Sequence, residues 1–131
     1  FHEAAAKYSD VTLYGNLSRD NFLSLFKSSS MIVGNSSAGL LEAASIPIPC
    51  VNVGARQRGR YCGENVNFVG TEPLMIRDGI IQSSSKEYLA SIKHIINPYG
   101  TGDSTQKAYE LIKSTDFMAL LAKKEDPLAN E

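Results

Sequence analysis

Small polar residues follow a short apolar run between positions 31 and 42, in the order Met-Ile-Val-Gly-Asn-Ser-Ser-Ala-Gly-Leu-Leu-Glu, and lead into a predicted helix. The first amides of a helix lack intrahelical partners and carry the positive end of its dipole, so they can bind phosphate. Gly34 and Gly39 remove a Cβ where a diphosphate would approach the backbone. The candidate donors are the amides and hydroxyls of Ser36, Ser37, Ala38 and Gly39. The same pattern also fits an N-capped turn that binds no ligand.

Glu42 supplies a carboxylate at a useful distance from that turn. It follows Ala38 by four residues, so both lie on the same face of the predicted helix, one turn apart. A carboxylate in this position can accept hydrogen bonds from sugar hydroxyls. Together with the phosphate-binding turn, Glu42 therefore predicts a nucleotide site.

Three arginines follow the next predicted strand, which covers residues 49–53. Arg56, Arg58 and Arg60 lie in one loop, and guanidinium groups remain charged and bind phosphate through several donors. In open α/β sheets ligands bind outside the carboxyl ends of the strands, so this loop and the first turn are expected to face one opening. We therefore expect Arg56 to converge with Ser36, Ser37 and Glu42. The alternative for the loop alone is a solvated basic turn.

The elements that must position these residues alternate between strands and helices, which predicts a mostly parallel α/β sheet covered by helices on both faces. Ser18 is a predicted helix cap, and residues 70–85 are predicted to be a connection with at most one helical turn. The predicted strands are 11–14, 31–33, 49–53 and 66–69. The predicted helices are 2–8, 19–28, 38–45, 86–96 and 104–123, followed by a charged tail over 123–131.

Composition predicts a cytoplasmic globular domain. The chain has 131 residues, 43% hydrophobic residues and a net charge of −1, which gives no field for binding nucleic acid. Its longest apolar runs are far shorter than the roughly 20 residues needed to cross a bilayer, and residues 1–4 do not resemble a signal peptide. Two cysteines and two histidines without paired spacing predict reduced thiols, no disulfide framework and no metal site. No cofactor is expected either.

The ordered motifs over roughly residues 8–115 resemble the carboxyl-terminal part of hydrolysing UDP-N-acetylglucosamine 2-epimerases. Non-hydrolysing relatives carry an Asp-Ser-Gly-Gly turn and a Thr-Glu-Arg-Pro loop at the matching places, and this chain has neither. The motifs that carry the resemblance are Gly34-Asn35-Ser36-Ser37-Ala38-Gly39 with Glu42, Pro49, Asn52-Val53-Gly54, Arg56-Gln57-x-Gly59-Arg60, Glu64-Asn65-Val66, and Asn97-Pro98-Tyr99-Gly100 with Gly102.

This resemblance implies a Rossmann-like domain from the carboxyl-terminal half of a two-domain fold of the glycosyltransferase B type. Residues 1–115 would be part of that nucleotide-binding domain, and 116–131 a carboxyl-terminal helix and tail. The amino-terminal domain, which supplies the acid and base carboxylates in this family, would be absent, so no catalytic residue is expected here. The substrate-binding residues implied are Asn35, Ser36, Ser37, Ala38, Gly39, Glu42, Arg56 and Arg60.

The implied partners are UDP and a UDP-N-acetylhexosamine. The family's reaction removes the C2 proton, eliminates UDP and adds water, giving an N-acetylmannosamine-type sugar for the biosynthesis of sialic-acid-like sugars. Such a fragment would be inactive alone, and its exposed sheet edge and apolar face predict a homo-oligomer. Two alternatives share the nucleotide-binding features: a glycosyltransferase of the B type and a non-catalytic nucleotide-sugar-binding module.

Overall fold

A computed structural model describes residues 1–120 of the chain. Phe1–Pro98 forms one compact unit, and a second unit begins at Tyr99. The first unit contains α1 (His2–Lys7), α2 (Arg19–Ser28), β1 (Ile32–Gly34), α3 (Ala38–Leu41), a 3₁₀ turn (Ala43–Ser45), β2 (Cys50–Val53), β3 (Val66–Val69), α4 (Pro73–Ser83) and α5 (Lys86–Ile92). The second contains α6 (Ser104–Ser114) and α7 (Phe117–Leu120).

The three strands form a parallel sheet in the order β1-β2-β3. Gly34 pairs with Asn52, and Asn52 pairs with Phe68, so the carboxyl ends of the strands lie side by side. Strands buried on both faces favour β-branched residues, as in the run around Val51. The predicted α/β, Rossmann-like fold with a parallel sheet is confirmed.

Helices cover both faces of this sheet. On one face Gly39 of α3 lies against Cys50 of β2, and on the other Gly79 of α4 lies against Val51 and Val69. The main apolar cluster lies on the α3 face and consists of Phe26, Ala43, Ile48 and Cys50, with Phe22, Ile32, Ala38, Ile46 and Val66 packed around it. Burial, with a smaller contribution from nearby Cys62, raises the pKa of the Cys50 thiol to about 12. The thiol is therefore neutral and serves as part of the core.

Helix α2 begins where the sequence predicts. The Ser18 hydroxyl accepts a hydrogen bond from the Asn21 N–H at 3.3 Å, which satisfies one free amide of the first turn. The rings of Phe22 and Phe26 lie 5.5 Å apart, one turn from each other on the face of α2 that meets the core. The predicted helix over 19–28 is therefore confirmed.

The predicted strand over 11–14 is wrong. These residues are irregular and exposed, with Val11, Leu13 and Tyr14 each at least 40% accessible. Alternating apolar residues form a strand only when a neighbouring strand offers a ladder, and the sheet of the described residues consists of β1, β2 and β3 alone.

Residues 70–85 contain a full helix, α4, where the sequence predicts a connection with at most one helical turn. The apolar pattern misleads because Leu74, Met75 and Ile81 are more than half exposed, while Gly79 and Ser83 are the buried residues. A small residue is required at position 79 because a Cβ there would lie 2.6 Å from Val69 Cγ1. The helix therefore packs through its small residues and lacks the expected apolar stripe.

The last two predicted helices are shorter than expected. The helix predicted over 86–96 ends at Ile92, and the one predicted over 104–123 divides into α6 and α7. Asp116 causes the division, since its Oδ1 accepts hydrogen bonds from the amides of Met118 (3.0 Å) and Ala119 (3.2 Å) and caps a new helix. Residues 121–131, including the predicted tail, lie outside the described residues.

Within residues 1–120, no helix is both long and apolar enough to cross a membrane. Strands β1 and β3 are the outer strands of the described sheet, and Val33 of β1 is 46% exposed. Exposed edges can pair with other chains. The expected self-association stays a prediction.

Candidate functional site

A pocket of about 490 Å³ opens at the carboxyl ends of the strands. Its wall comes from the strand ends and the residues that follow them: Gly34 and Asn35 at the end of β1, Val53 to Arg56 at the end of β2, and Thr71 after β3. Gly34 has φ +147°, a conformation that L side chains rarely adopt, and open space lies where its Cβ would be. A ligand can therefore approach the backbone closely at this position.

The turn from Asn35 to Ser37 leaves three backbone donors unused. The Ser36 hydroxyl accepts a hydrogen bond from the Ala38 N–H, and the Ser36 carbonyl accepts one from the Gly39 N–H, both at 3.3 Å. By contrast, the N–H groups of Asn35, Ser36 and Ser37 donate no hydrogen bond to any described residue. The free donors of this turn thus include both serine amides, which come just before α3.

Gly39 lies deeper than the other residues of the predicted anion site. It is buried, and a Cβ at this position would collide with the Cys50 Sγ. This contact gives a packing reason for glycine here, distinct from the ligand approach expected from the sequence. Its contribution to the anion site stays a prediction.

The three arginines of the loop after β2 have different surroundings. Arg56 is exposed, lines the pocket and forms no ion pair with any described residue. Arg58 instead lies over the Phe68 ring, with its guanidinium carbon 6.0 Å from the ring centroid. Arg60 is also exposed and forms no ion pair with Glu64 within the described residues. Arg56 is therefore the arginine placed to meet a ligand in this pocket.

Glu42 lies in a second groove, of about 280 Å³, together with Arg19 and Lys27 of α2. Its Oε1 accepts a hydrogen bond from Arg19 Nη1 at 3.2 Å, and its Oε2 lies 3.0 Å from Arg19 Nη2. Oε2 is buried and has no hydrogen-bond partner within the described residues beyond this ion-pair contact. The charge of the carboxylate is therefore compensated by Arg19.

The structure therefore divides the predicted site residues between two places. Asn35 and Arg56 line the pocket at the strand ends, whereas Glu42 lines the groove between α2 and α3. Ser36 and Ser37 lie in the turn that connects them, since α3 begins directly after Ser37. This differs from the single opening expected from the sequence.

Two buried polar residues beneath the pocket were assigned no role from the sequence. Gln57 is 1% exposed, and its Nε2 donates to the Asn35 carbonyl at 2.9 Å, which joins the two loops. Asn52 is fully buried, and neither polar atom of its amide has a partner among the described residues. The available signal was a polar residue between Val51 and Val53, inside a strand that otherwise reads as core.

Asn97, at the start of the Asn-Pro-Tyr-Gly segment, holds the far end of α3. Its Nδ2 donates to the Leu41 carbonyl at 2.8 Å and to the Ser45 hydroxyl at 2.6 Å. These carbonyl and hydroxyl groups flank Glu42 in the sequence. The Asn97 side chain therefore holds the backbone just before Glu42 and the Ser45 side chain that follows it.

Within residues 1–120, no cluster of three or more His, Cys, Asp or Glu side chains could hold a metal ion. The candidate ligands of the pocket are arginine, amide and hydroxyl groups, which suit an anion. The chemistry that this arrangement can supply is therefore the binding of a negatively charged group.

The chain is similar to several known proteins. It is 35% identical over 107 residues to the UDP-N,N'-diacetylbacillosamine 2-epimerase (hydrolyzing) of Legionella pneumophila, covering 82% of this chain and 27% of that protein. It is 33% identical over 99 residues to the polysialic acid biosynthesis protein P7 of Escherichia coli, covering 76% of this chain and 25% of that protein. The chain thus spans about a quarter of the length of these relatives.

The fold also matches a solved structure. A crystal structure of a protein described as a UDP-N-acetylglucosamine 2-epimerase from Listeria monocytogenes superposes with a TM-score of 0.69 at 18% identity, over 95% of this chain and 34% of that one. The sequence model of the UDP-N-acetylglucosamine 2-epimerase family matches residues 1–113. The chain therefore belongs to the UDP-N-acetylglucosamine 2-epimerase family.

Proposed function

We propose that this chain is the nucleotide-sugar-binding part of a hydrolysing UDP-N-acetylglucosamine 2-epimerase, within the two-domain fold of the glycosyltransferase B type. The observation that carries the proposal is the pocket at the strand ends, where Asn35 and Arg56 line the wall beside the open backbone of Gly34, and Arg56 forms no ion pair with the described residues. The ligands in this proposal are a UDP-N-acetylhexosamine as substrate and UDP as product.

The diphosphate lies between the Asn35–Ser37 turn and Arg56. The free amides of Ser36 and Ser37 donate to phosphate oxygens, and the guanidinium supplies positive charge that no carboxylate of the described residues neutralises. When the bond between C1 of the sugar and the diphosphate breaks, negative charge grows on the leaving oxygen. These donors stabilise that charge, so this part of the protein promotes the departure of UDP.

Glu42 binds the ribose in this proposal. Its Oε2 lies beside Arg19 and has no hydrogen-bond partner among the described residues, and Asn97 holds the preceding backbone at the Leu41 carbonyl. Ala38 and Gly39 belong to the first turn of α3 between the diphosphate and ribose ends, and Arg60 is a further candidate contact to the substrate. The groups that remove and return the C2 proton come from outside these residues.

Names of relatives support the hydrolysing branch and an amino-sugar product. The Legionella pneumophila relative is a hydrolyzing 2-epimerase of a diacetylated sugar, and the Escherichia coli relative takes part in polysialic acid biosynthesis. We therefore propose that the sugar product is of the N-acetylmannosamine type and serves the biosynthesis of sialic-acid-like sugars.

Replacement of Arg56 by alanine tests the diphosphate site. In the complete natural polypeptide that contains these 131 residues, hereafter the complete polypeptide, Arg56→Ala is expected to weaken UDP binding about 5- to 10-fold, as measured by calorimetry. The exposed guanidinium is partly hydrated, which keeps this effect below that of a buried charge.

Arg58→Ala is the matched control, because Arg58 lies in the same loop but contacts Phe68. It removes the same charge, so a general electrostatic effect would weaken UDP binding equally in both variants. We expect Arg58→Ala to change the affinity by less than about 2-fold. Equal losses in the two variants would contradict the assigned role of Arg56.

The 131-residue chain is expected to release no UDP from UDP-N-acetylglucosamine. A general acid or base must lie within hydrogen-bond reach of the proton that it transfers. The proposed site contains no acid and base placed to act on the C2 proton of the sugar. The complete polypeptide should release UDP together with an N-acetylmannosamine-type sugar, detected by chromatography. UDP release above a buffer control by the purified 131-residue chain would contradict this prediction.

A further inference from the structure

One buried side chain joins the two loops that form the pocket. Gln57 is 1% exposed, and its Nε2 donates to the Asn35 carbonyl at 2.9 Å, although the two residues are 22 positions apart. Its neighbour Arg56 is exposed and lines the pocket beside Asn35. Gln57 therefore fixes the loop after β2 against the turn after β1.

The same hydrogen bond fixes the direction of the next amide. A trans peptide is planar, with its C=O and N–H pointing in opposite directions, and the described chain has no cis peptide. Since the Asn35 carbonyl points at the buried Gln57, the Ser36 N–H points away from it. Ser36 is exposed, and this N–H donates to no described residue. The Gln57 side chain thus directs a free donor outward.

A second buried polar side chain, that of Asn52, lies in β2 close in sequence to this loop. Asn52 lies two residues after Cys50 in β2, so its side chain is on the same face, which is the face covered by α3. It pairs in register with Gly34, next to the turn. Gln57 Oε1 and both polar atoms of Asn52 are buried without a partner among the described residues. Core positions rarely keep such groups unless a local geometry depends on them.

We propose that Gln57 is a positioning residue for diphosphate recognition, which acts by holding the Asn35–Ser36 peptide so that the Ser36 N–H faces the anion. This inference rests on the proposed function, because it needs a diphosphate at the turn. Gln57 itself does not touch the ligand. Its effect is confined to the phosphate end of the nucleotide.

Gln57→Met tests this role, because methionine has a similar length and no donor. In the complete polypeptide we expect UDP binding to weaken about 3- to 10-fold and uridine binding to change less than 2-fold, both measured by calorimetry. The Ser36 and Ser37 amide resonances should shift in the ligand-free variant, measured by NMR. Gln57→Asn keeps the amide but is one methylene shorter, so it should show the same changes as Gln57→Met. It is used in place of Gln57→Met if that variant does not fold.

Asn65→Leu is the matched control. Asn65 is fully buried, and its Nδ2 donates to the Ile48 carbonyl at 3.0 Å, so the variant loses the same kind of bond. It precedes β3 and therefore lies at the amino ends of the strands, away from the pocket. UDP affinity and the Ser36 resonance should be unchanged in this variant.

The possible results separate this inference from the proposed function. If the parent protein binds UDP no better than uridine, the proposed function fails, while the ligand-free NMR shifts still report whether Gln57 holds the turn. If the parent prefers UDP but Gln57→Met keeps that preference, the positioning role is overturned. An equal loss of UDP binding in Asn65→Leu would also overturn it, because the effect would then be one of general stability.

Discussion

Alanine at position 39 is expected to destabilise the complete polypeptide by a net 1–2 kcal/mol, roughly, in urea denaturation. The added Cβ would collide with the Sγ of Cys50, a residue that is 1% exposed and belongs to the main apolar cluster. Overpacking of a buried site costs about 1–3 kcal/mol, whereas alanine gains at most about 1 kcal/mol over glycine in helix propensity. The steric term is therefore the larger one.

Two further variants identify the cause of that loss. Gly15→Ala is the control for glycine replacement, because no heavy atom lies within 4 Å of the added Cβ and its φ is not positive. The double variant Gly39→Ala/Cys50→Ala removes the colliding sulfur. It should be more stable than the sum of the two single effects predicts, by about 1 kcal/mol. Strict additivity would contradict the contact between Gly39 and Cys50.

Gly39 shows what a sequence motif leaves open. A glycine after two serines fits both close approach of a phosphate and close packing of a helix on a strand. The spacing is the same for the two explanations, and only the position of Cys50 beneath α3 reveals the packing contact. The motif nevertheless located the turn correctly, because strand, turn and helix start are consecutive in the chain.

Predictions that depended on local signals agree well with the structure. The Ser18 cap, the helix that it starts and the strand Val66–Val69 depend on neighbouring residues or on a continuous apolar run. Helix α4 was missed because its apolar residues are exposed and its small residues, Gly79 and Ser83, are buried. The buried residues of α4 do recur with helical spacing, but they are small residues, so a search for periodic hydrophobic residues does not find the helix.

Long-range contacts within the site could not be read from the sequence. The hydrogen bond from Gln57 to Asn35 spans 22 positions, and the ion pair between Arg19 and Glu42 spans 23. Both depend on how the loops and α2 fold over the sheet. The sequence identified Arg56 as a candidate ligand-binding residue but could not distinguish its surroundings from those of Arg58, which lies over the Phe68 ring.

Glu42→Gln is expected to weaken UDP binding in the complete polypeptide by about 1.5–3 kcal/mol, or roughly 10- to 150-fold. Glutamine keeps the shape of the side chain but replaces a charged acceptor with a neutral amide. If Glu42 accepts hydrogen bonds from the ribose hydroxyls, the substitution weakens those bonds more than the other contacts to UDP. Calorimetry with UDP measures the change, and thermal unfolding without ligand should differ little, because the Arg19 partner of the ion pair is 64% exposed.

Arg19→Ala separates the carboxylate from its ion pair. Arg19 is 64% exposed, so its pair with Glu42 contributes about 0–1 kcal/mol, and its removal leaves the acceptor in place. UDP affinity should therefore be retained in Arg19→Ala. Equal losses in the two variants would mean that the ion pair, not an acceptor for ribose, is the functional feature.

Ser37→Ala gives the scale for one neutral donor at the diphosphate end of the nucleotide. It removes one hydroxyl while the backbone amides of the turn remain, so the expected loss is about 0.5–1.5 kcal/mol in UDP binding. Glu42→Gln should cost more than Ser37→Ala, because the turn amides and Arg56 still hold the diphosphate in Ser37→Ala, whereas Glu42→Gln loses the charged acceptor for the ribose. If Glu42→Gln bound UDP as tightly as the parent, Glu42 would be only the ion-pair partner of Arg19, and the ribose site would lie elsewhere.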